Sequence, residues 1–273
     1  MSSSGTTIQS MYGMMTTTMN KPDQPVGAFL CDYATTLLEC GATTVRIEKN
    51  VGRIAEAYGC RAEVNIYPQH VEVVERTADT EELNIFSKTI GHGGINYATI
   101  SALSKLSWNC IDDGLPLPEV RRQYTEICSV KRLPSALVTL LASLANASFC
   151  RLFEGDLPSM AIVFVATLCG FYLKGALCSK FHLDLRASII IAGCVSAVLS
   201  CAGYVFGWGE TPDVALATSV LYLVPGIPYL NAVSDLINGH YICATSRLIH
   251  AATLTVCLSV GLYLGLLLMH VTL

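Results

Sequence analysis

The spacing of hydrophobic and polar positions changes several times along the chain, and each change predicts a different element. Residues 26–41, VGAFLCDYATTLLECG, repeat apolar positions at helical spacing and stop at Gly41, a residue type that often follows the last helical turn. A second helical pattern follows in residues 42–59, ATTVRIEKNVGRIAEAYG, and stops at Gly59. On this second helix we expect the charged side chain of Arg53 to face water.

A period of two then replaces the helical spacing. Val64 and Ile66 alternate with polar neighbours before Pro68, and Val71 and Val73 alternate with them after it, which predicts a β-hairpin. The segments that follow predict a strand in NIFSKTI at 84–90, a glycine loop in GHGG, and helices near 96–112 and 117–129. Residues 25–130 therefore predict an α+β domain, whose length of about 105 residues is enough for its own core.

Beyond residue 130 the pattern is apolar almost throughout. Five stretches without a charged residue cover 133–150, 157–173, 187–209, 214–234 and 248–273. Each approaches the ~20 residues that a membrane-spanning helix needs. We therefore expect an all-α transmembrane bundle of five helices in residues 131–273. The first 24 residues are rich in Ser, Thr and Met and have no apolar signal region, so for residues 1–24 we expect a disordered tail.

The charged residues between the apolar stretches predict an orientation. The basic residues that fall on one side are Lys131, Arg132, Lys174, Lys180, Arg186 and Arg247. The opposite loops carry Arg151 together with four acidic residues. Because basic loops stay inside, the α+β domain is expected to be cytoplasmic. Lys174, near the end of the second stretch, is expected to extend its ammonium group toward the membrane interface.

Composition agrees with a membrane protein and argues against several other classes. The chain of 273 residues is 52% hydrophobic and 14% charged, against roughly 25% charged residues in soluble domains. Its net charge is −4, and without a basic stripe we expect no nucleic-acid partner. The 12 cysteines form no C-x-x-C pair and no histidine is spaced as a zinc partner, so no metal or other cofactor is expected. No nucleophile, base and acid converge in the pattern, so we expect no enzyme.

The fourth apolar stretch contains unusual residues for a bilayer. It reads LYLVPGIPYLNAVSDLINGH at 221–240, with Pro225, Gly226, Pro228 and Asn231 inside it. Broken membrane helices expose backbone groups only where protein or water satisfies them, and transporters use such breaks to bind substrate. These four residues therefore predict a substrate or ion site. A purely structural kink is the alternative.

Three further polar residues belong to the same hypothesis. Asp235 lies one turn beyond Asn231, and a carboxylate at membrane depth suggests proton or cation coupling. It is alternatively interfacial, or paired with Arg247. Arg247 is either a carboxylate ligand or a basic anchor at the interface. Asn146, within the first stretch, is either a contact between helices or a substrate ligand.

The α+β domain offers one weak motif. The glycines of GHGGIN at 91–96 resemble an anion-binding turn before a helix. The segment lacks the pattern of a phosphate-binding loop, so an ordinary strand-to-helix turn is preferred. His92 has no nucleophile or acid partner in the pattern and is not expected to be a catalytic base.

Two segments together resemble one family. LLECGATTVRIEKNVGRIAEAYG, followed by the hairpin, and LYLVPGIPYLNAVSDLINGHYICATSRL are similar to the threonine/serine exporter family. The form that the chain resembles is the larger subunit of the two-subunit version, which is itself similar to a bacterial succinate exporter. The family's membrane pattern falls on Pro225, Gly226, Asn231, Asp235 and Arg247. Its soluble-domain pattern falls on Gly41, Thr44 and Arg46, and for Arg46 a fold-stabilising or subunit contact is expected.

The resemblance implies a function and a partner. It implies a secondary-transporter subunit in a bacterial inner membrane that exports succinate or a related C4-dicarboxylate. Threonine or serine is the alternative cargo, and a non-transporting assembly subunit is a third hypothesis. Full-length family members carry a second set of spans, whereas this sequence ends at Leu273, so we expect a separate small membrane protein as partner. Whether the chain also forms a homo-oligomer is left open.

Overall fold

The computed structural model of the chain describes residues 25–77, 83–91, 93–131 and 133–271. The chain divides into two compact units, Met1–Ser129 and Val130–Leu273. The tail expected at residues 1–24 lies outside the described residues. Within the described residues the structure is mostly helical, with a three-stranded sheet in the first unit.

The first unit follows the order predicted from the sequence. Its described elements are helices α1 (Val26–Glu39), α2 (Thr44–Ala57), α3 (Tyr97–Asp112) and α4 (Leu117–Ser129) and strands β1 (Cys60–Ile66), β2 (His70–Thr77) and β3 (Leu83–Thr89). Each predicted helix and strand is confirmed to within about two residues at either end.

Both predicted glycine stops are confirmed by the backbone geometry. Gly41 has φ +88° and Gly59 has φ +68°, in the left-handed region that glycine adopts without a steric cost. After α1 the N–H of Gly41 donates to the carbonyl of Leu38, and the N–H of Ala42 donates to that of Leu37. These two bonds satisfy carbonyls that the helix end leaves free.

The predicted hairpin is also confirmed. Strands β1 and β2 are antiparallel, with Val64 opposite Val73, and β3 pairs with the other edge of β2. The turn is closed by the N–H of Tyr67, which donates to the carbonyl of His70 at 2.9 Å. Alternate residues of the sheet therefore face the helices, with β2 against α1 and β1 against α2, and that side of the sheet forms part of the core.

Helix α1 is the centre of this core. It contacts the sheet as well as α2, α3 and α4. Leu30, Tyr33 and Leu37 are fully buried on it. The hydroxyl of Tyr33 donates to the carbonyl of Leu103 at 2.7 Å, so this buried polar group is satisfied.

One expectation about α2 is wrong. The side chain of Arg53 does not simply face water, because α3 packs beside it. Its Nη1 donates to Oδ1 of Asn50 at 2.8 Å and to Oγ of Ser107 at 2.7 Å. Its guanidinium carbon lies 4.1 Å from the ring centre of Trp108. The charge thus bridges two helices, which a helical pattern read on its own does not reveal.

The second unit is helical throughout its described residues. Its elements are α5 (Ser135–Leu152), α6 (Leu157–Lys180), α7 (Leu185–Ser200), α8 (Ala202–Phe206), α9 (Pro212–Ser219), a 3₁₀ turn (Leu221–Leu223), α10 (Gly226–Ile237) and α11 (Tyr241–Leu268).

The predicted spans correspond to these helices, but the fourth span is broken into two helical segments. Within the described residues, four segments are long and apolar enough to cross a membrane: Ser135–Leu152, Leu157–Lys180, Leu185–Phe206 and Tyr241–Leu268. The fourth predicted span is two pieces, Pro212–Leu223 and Gly226–Ile237, bent by 62° to each other. By length and composition, the described part of this unit therefore has four candidate spans, or five if the bent pair crosses as one.

Helix α5 buries small and polar side chains and exposes leucines, as expected for a helix in contact with lipid. Its buried side carries mostly small and polar residues, namely Thr139, Ser143, Asn146, Ala147 and Cys150. Its leucines point outward, with Leu137, Leu140, Leu141 and Leu144 each 41–50% exposed. A helix that turns leucines outward and polar groups inward fits a lipid environment, where contacts between helices depend on small and polar residues.

Helices α7 and α11 approach each other closely at two glycines. A Cβ atom at Gly261 would overlap the backbone carbonyl oxygen of Ile190. One at Gly265 would lie 2.5 Å from Cβ of Ala197. The spacing of these glycines by four residues is the small-residue pattern that lets membrane helices pack backbone to backbone.

The loop before α9 is attached to the start of α6 by Asp156. Its carboxylate accepts hydrogen bonds from the N–H of Ser159 at 2.9 Å, the N–H of Glu210 at 2.5 Å and the hydroxyl of Thr211 at 3.2 Å. These bonds, those from Ser159 first, lower the pKa of Asp156 to about 2. The ionised carboxylate is therefore the form that the fold stabilises.

Candidate functional site

The break in the fourth span lies between Ser219 and Gly226. Pro225 is the N-cap of α10, with φ −79° and ψ 57°, and the N–H of Gly226 donates back to the carbonyl of Val224 at 2.9 Å. This is an inverse γ-turn. Pro228 falls in the first turn of α10, where N–H groups have no helical acceptor. Both prolines thus occupy positions that cost α10 no hydrogen bond.

Asn146 satisfies a carbonyl next to this break. Its Nδ2 donates to the backbone carbonyl of Thr218 at 2.9 Å and to Oγ1 of Thr167 at 2.7 Å. Thr218 is in the last turn of α9, where carbonyls lose their helical donors. Asn146 is 4% exposed and links α5, α6 and α9. Both amide hydrogens are used in this way, which leaves only Oδ1 for any other partner.

A second polar contact fixes the 3₁₀ turn. The hydroxyl of Tyr222 lies 3.0 Å from Oγ of Ser196 on α7. That Oγ also donates to the carbonyl of Ala166 on α6 at 3.2 Å. A Cβ atom at Gly170 would overlap the Tyr222 hydroxyl. The tyrosine therefore reaches α6 and α7 only because residue 170 has no side chain.

Asp235 and Arg247 form an ion pair between α10 and α11. Nη1 of Arg247 lies 3.0 Å from Oδ2 of Asp235. The Asp235 side chain is fully buried and that of Arg247 is 18% exposed. The sequence left open whether Asp235 pairs with Arg247, and the structure contains this pair. A second link between the same helices is the hydroxyl of Tyr229, 3.0 Å from Oγ1 of Thr255.

The remaining predicted residues lie on α10. Asn231 is half-buried one turn before Asp235, and Gly226 is exposed at the helix start. The structure thus joins Asp235 with Arg247, and joins Asn146 with the end of α9. The prolines separate α9 from α10. The predicted residues therefore follow the broken span and are not gathered in one cluster.

Lys174 lies beside this region. That its ammonium group extends toward the membrane interface stays a prediction. Its Nζ lies 5.0 Å from the ring centre of Phe171, one turn back along α6, and 6.0 Å from that of Tyr222. Helix α6 also continues past it to Lys180. The position of Tyr222, three residues before Pro225, was the signal in the sequence that could have drawn attention to this contact.

An open groove beside α9 is mostly apolar. It has a volume of about 440 Å³ and is lined by Phe153, Val214, Thr218 and Leu221 among others. An apolar groove of this kind suits a lipid chain or a helix better than a small carboxylate. We therefore do not place the candidate site there.

The glycine loop of the first unit is already occupied by a carboxylate of the protein. The N–H of Gly91 donates to Oε1 of Glu39 at 2.6 Å, so this amide is used within the fold. His92 lies outside the described residues. Arg46 is exposed on α2, and Thr44 is buried at its start. Among the described residues no group of His, Cys, Asp or Glu is arranged to hold a metal ion.

Comparison with known families places the chain in a transporter family. It matches the model of the family described as "Putative threonine/serine exporter" over residues 28–269. The chain belongs to this threonine/serine exporter family. Membership and the apolar helices together make it a membrane protein of a transport and export family.

The relatives in this exporter family carry two kinds of name. A "Probable succinate transporter subunit YjjP" of Klebsiella aerogenes is 26% identical over 251 residues, which are 90% of this chain and 95% of the relative. The protein of the same name in Escherichia coli K12 is 27% identical, over 84% of this chain and 89% of the relative. A "Probable threonine/serine exporter" of Mycobacterium tuberculosis is 21% identical, over 85% of this chain and 44% of the relative.

No solved structure matches the chain. The relatives are named as transporters, in keeping with the expectation that this member of the exporter family is not an enzyme.

Proposed function

We propose that the chain is a subunit of a secondary transporter that exports a small carboxylate, succinate or a related C4-dicarboxylate. The observation that carries this proposal is the buried ion pair of Asp235 and Arg247. Ionisable groups within a membrane bundle are costly and mark substrate or ion paths. The names of the Klebsiella aerogenes and Escherichia coli relatives support succinate as the cargo.

In this proposal the ion pair alternates between two partners. While Asp235 is ionised, it neutralises Arg247. When Asp235 takes up a proton, the guanidinium is released to hold a carboxylate of the cargo through a charge-assisted bond. Loss of that proton restores the ion pair and displaces the cargo. Export would thus be coupled to a proton that enters and leaves at Asp235.

The broken span supplies the rest of the proposed path. The backbone near Pro225, Gly226 and Pro228 and the amide of Asn231 bind the polar end of the cargo. Asn146 contributes mainly by holding the end of α9, since both of its amide hydrogens are bonded within the protein. Its Oδ1 is the atom left to face cargo.

Threonine or serine is the second candidate cargo. The buried pair presents one carboxylate and one guanidinium, which match the ammonium and carboxylate groups of an amino acid. The family description and the Mycobacterium tuberculosis relative also favour this cargo. A non-transporting assembly subunit is the third candidate. It requires that the polar fourth span serve only to pack against a partner.

We further propose a partner and a placement. The word subunit in the relatives' names supports a complex, for which we propose a small membrane protein with further spans. The complex would lie in a bacterial inner membrane, with the bent pair crossing as the fourth of five spans and residues 25–130 in the cytoplasm. The basic residues of the loops support this orientation.

Transport in vesicles tests the cargo. Inside-out membrane vesicles from cells that express the chain, with and without a candidate partner, are supplied with labelled succinate, threonine or serine. We expect uptake of succinate that needs both proteins. Uptake of amino acids but not of succinate would favour the second cargo, and the same uptake without this chain would show an assembly role.

Labelling of introduced cysteines tests the orientation. In a chain without its native cysteines, Glu154→Cys at the end of α5 is expected to react with an impermeant maleimide only from outside. Lys180→Cys, at the end of α6, is the matched variant and is expected to react only from the cytoplasm. Both residues are exposed. The reverse pattern would overturn the proposed orientation.

A further inference from the structure

The partly buried side chain of Lys174 lies beside the 3₁₀ turn that precedes the break. Its Nζ is 5.0 Å from the ring centre of Phe171 and 6.0 Å from that of Tyr222. The side chain therefore runs back along α6, toward the middle of the helix.

Within the described part of the chain, no carboxylate forms an ion pair with Lys174. Its ammonium group lies near the faces of two aromatic rings. Ring faces attract an ammonium group but leave its three N–H groups without acceptors. An ammonium group at membrane depth is costly without an acceptor, so this one is ready to receive an anion.

The surroundings of Lys174 are rigid and face the broken span. Tyr222 is held by Oγ of Ser196 at 3.0 Å and lies against Gly170, where any side chain would overlap it. Three residues further along the chain, Pro225 begins the inverse γ-turn. The lysine is thus held next to the segment where the proposed cargo meets unwound backbone.

We propose that Lys174 is an anion-binding residue of the transport path, which takes a carboxylate of the cargo at the 3₁₀ turn. The inference rests on the proposed function and extends it. It adds a fixed cation that is separate from Arg247 and that no carboxylate of the described protein neutralises. A cargo with two carboxylates can use both cations, whereas an amino acid brings a single carboxylate to either one.

The competing explanation is that Lys174 only anchors α6 to Tyr222 through the aromatic contact. Both roles need a cation, but only the binding role makes Lys174 respond to cargo. The test therefore combines variants with a measurement on the unmodified residue.

The variants are Lys174→Gln, Lys174→Arg and, as the matched control, Lys180→Gln at the exposed end of the same helix. Labelled succinate uptake is measured in inside-out vesicles that also contain the candidate partner, at equal membrane levels of each variant. We expect Lys174→Gln to raise the KM for succinate about tenfold, as for one lost charge-assisted bond. Lys174→Arg should recover part of this loss, and Lys180→Gln should behave as the parent does.

The second measurement is the acylation of Lys174 itself. Vesicles with the parent chain are treated with a water-soluble acylating reagent, with succinate or with chloride at equal ionic strength, and modification of each lysine is followed by mass spectrometry. We expect succinate to slow acylation of Lys174 and to leave Lys180 unaffected. This readout does not depend on the folding of any variant.

The outcomes separate the two proposals. Succinate export with an unchanged KM in Lys174→Gln and no protection of Lys174 overturns the inference and leaves the proposed function. Protection of Lys174 by succinate without export supports the anion site and overturns succinate export. If succinate is neither exported nor protective, both proposals are wrong.

Discussion

The guanidinium group of Arg247 lies 3.0 Å from the carboxylate of Asp235, and that carboxylate has no solvent-exposed surface. The pair joins the second half of α10 to the first third of α11. Two opposite charges this close neutralise each other, which lowers the cost of holding either within the bundle. Neither charge is free to bind cargo until the other is satisfied elsewhere.

Removal of one partner is expected to destabilise the second unit. Arg247→Gln leaves a buried carboxylate without its cation, a change that costs about 3–5 kcal/mol in buried pairs. The lower end is expected because Arg247 is 18% exposed. The measurement is the thermal unfolding midpoint in detergent. The double variant Asp235→Asn with Arg247→Gln is the control and should recover much of the loss. If it is no more stable than Arg247→Gln, the two charges are not coupled.

The charge of Asp235 is expected to set the pH dependence of transport. Asp235→Asn cannot bind and release a proton at residue 235, so we expect the pH dependence of its export rate to be flatter than that of the parent. The matched control is Asp184→Asn, at the N-cap of α7. A parent-like pH profile in Asp235→Asn would show that the coupled proton, if there is one, binds elsewhere.

Asn146 is expected to contribute to stability more than to cargo affinity. Asn146→Ala removes the donors to Thr218 and Thr167 and should cost about 1–2 kcal/mol, because two buried acceptors lose their partner. Ser148→Ala, an exposed site on the same helix, is the control. Unfolding midpoints and the KM for succinate are compared. A large rise in KM at unchanged stability would instead make Asn146 a cargo ligand.

The close packing of α7 and α11 is expected to tolerate no added methyl group at Gly261. In Gly261→Ala the Cβ would overlap the carbonyl of Ile190, a backbone atom that cannot rotate away, so we expect a loss of about 1–3 kcal/mol. Gly175→Ala is the control, since no atom lies within 4 Å of its added Cβ. Equal unfolding midpoints of the two variants would mean that the helices are not in contact at Gly261.

Asp156 is expected to make the free energy of unfolding depend on pH in the acidic range. Its pKa of about 2 is below the value of about 3.9 in an unfolded chain. Its contribution is therefore complete above about pH 4 and is lost as the pH falls toward about 2. Asp156→Asn should lower the unfolding midpoint near neutral pH, and the difference from the parent should shrink with acid. Glu154→Gln, nearby and exposed, should show no such trend.

The local features of the fold could be predicted from the sequence because they depend on neighbours along the chain. The stops at Gly41 and Gly59 follow from backbone sterics, and the hairpin follows from alternation on either side of Pro68. The break at Pro225 is equally local. The membrane spans could also be predicted, because an uncharged apolar stretch of about 20 residues is typical of a membrane-spanning helix.

The contacts between helices could not be predicted in this way. The bond from Asn146 to Thr218 and the overlap of Gly261 with Ile190 depend on which helices are neighbours, and a single helical pattern does not contain that information. The same reason explains the error at Arg53. Its side chain was expected to face water, and it instead lies over the ring of Trp108 on another helix.

The same type of tight backbone turn lies before and after helix α10. Its start follows the turn at Pro225, and at its other end the N–H of Tyr241 donates to the carbonyl of Gly239 at 3.0 Å around His240, with φ −83° and ψ 61°. Each is a three-residue turn with a single hydrogen bond. Rotation of the backbone at these two turns would move the 12-residue helix α10 as a rigid body and leave its internal hydrogen bonds intact. The contacts of α10 with α11 that oppose this rotation include those of Tyr229 with Thr255 and of Asp235 with Arg247, so protonation of Asp235 would weaken one of them.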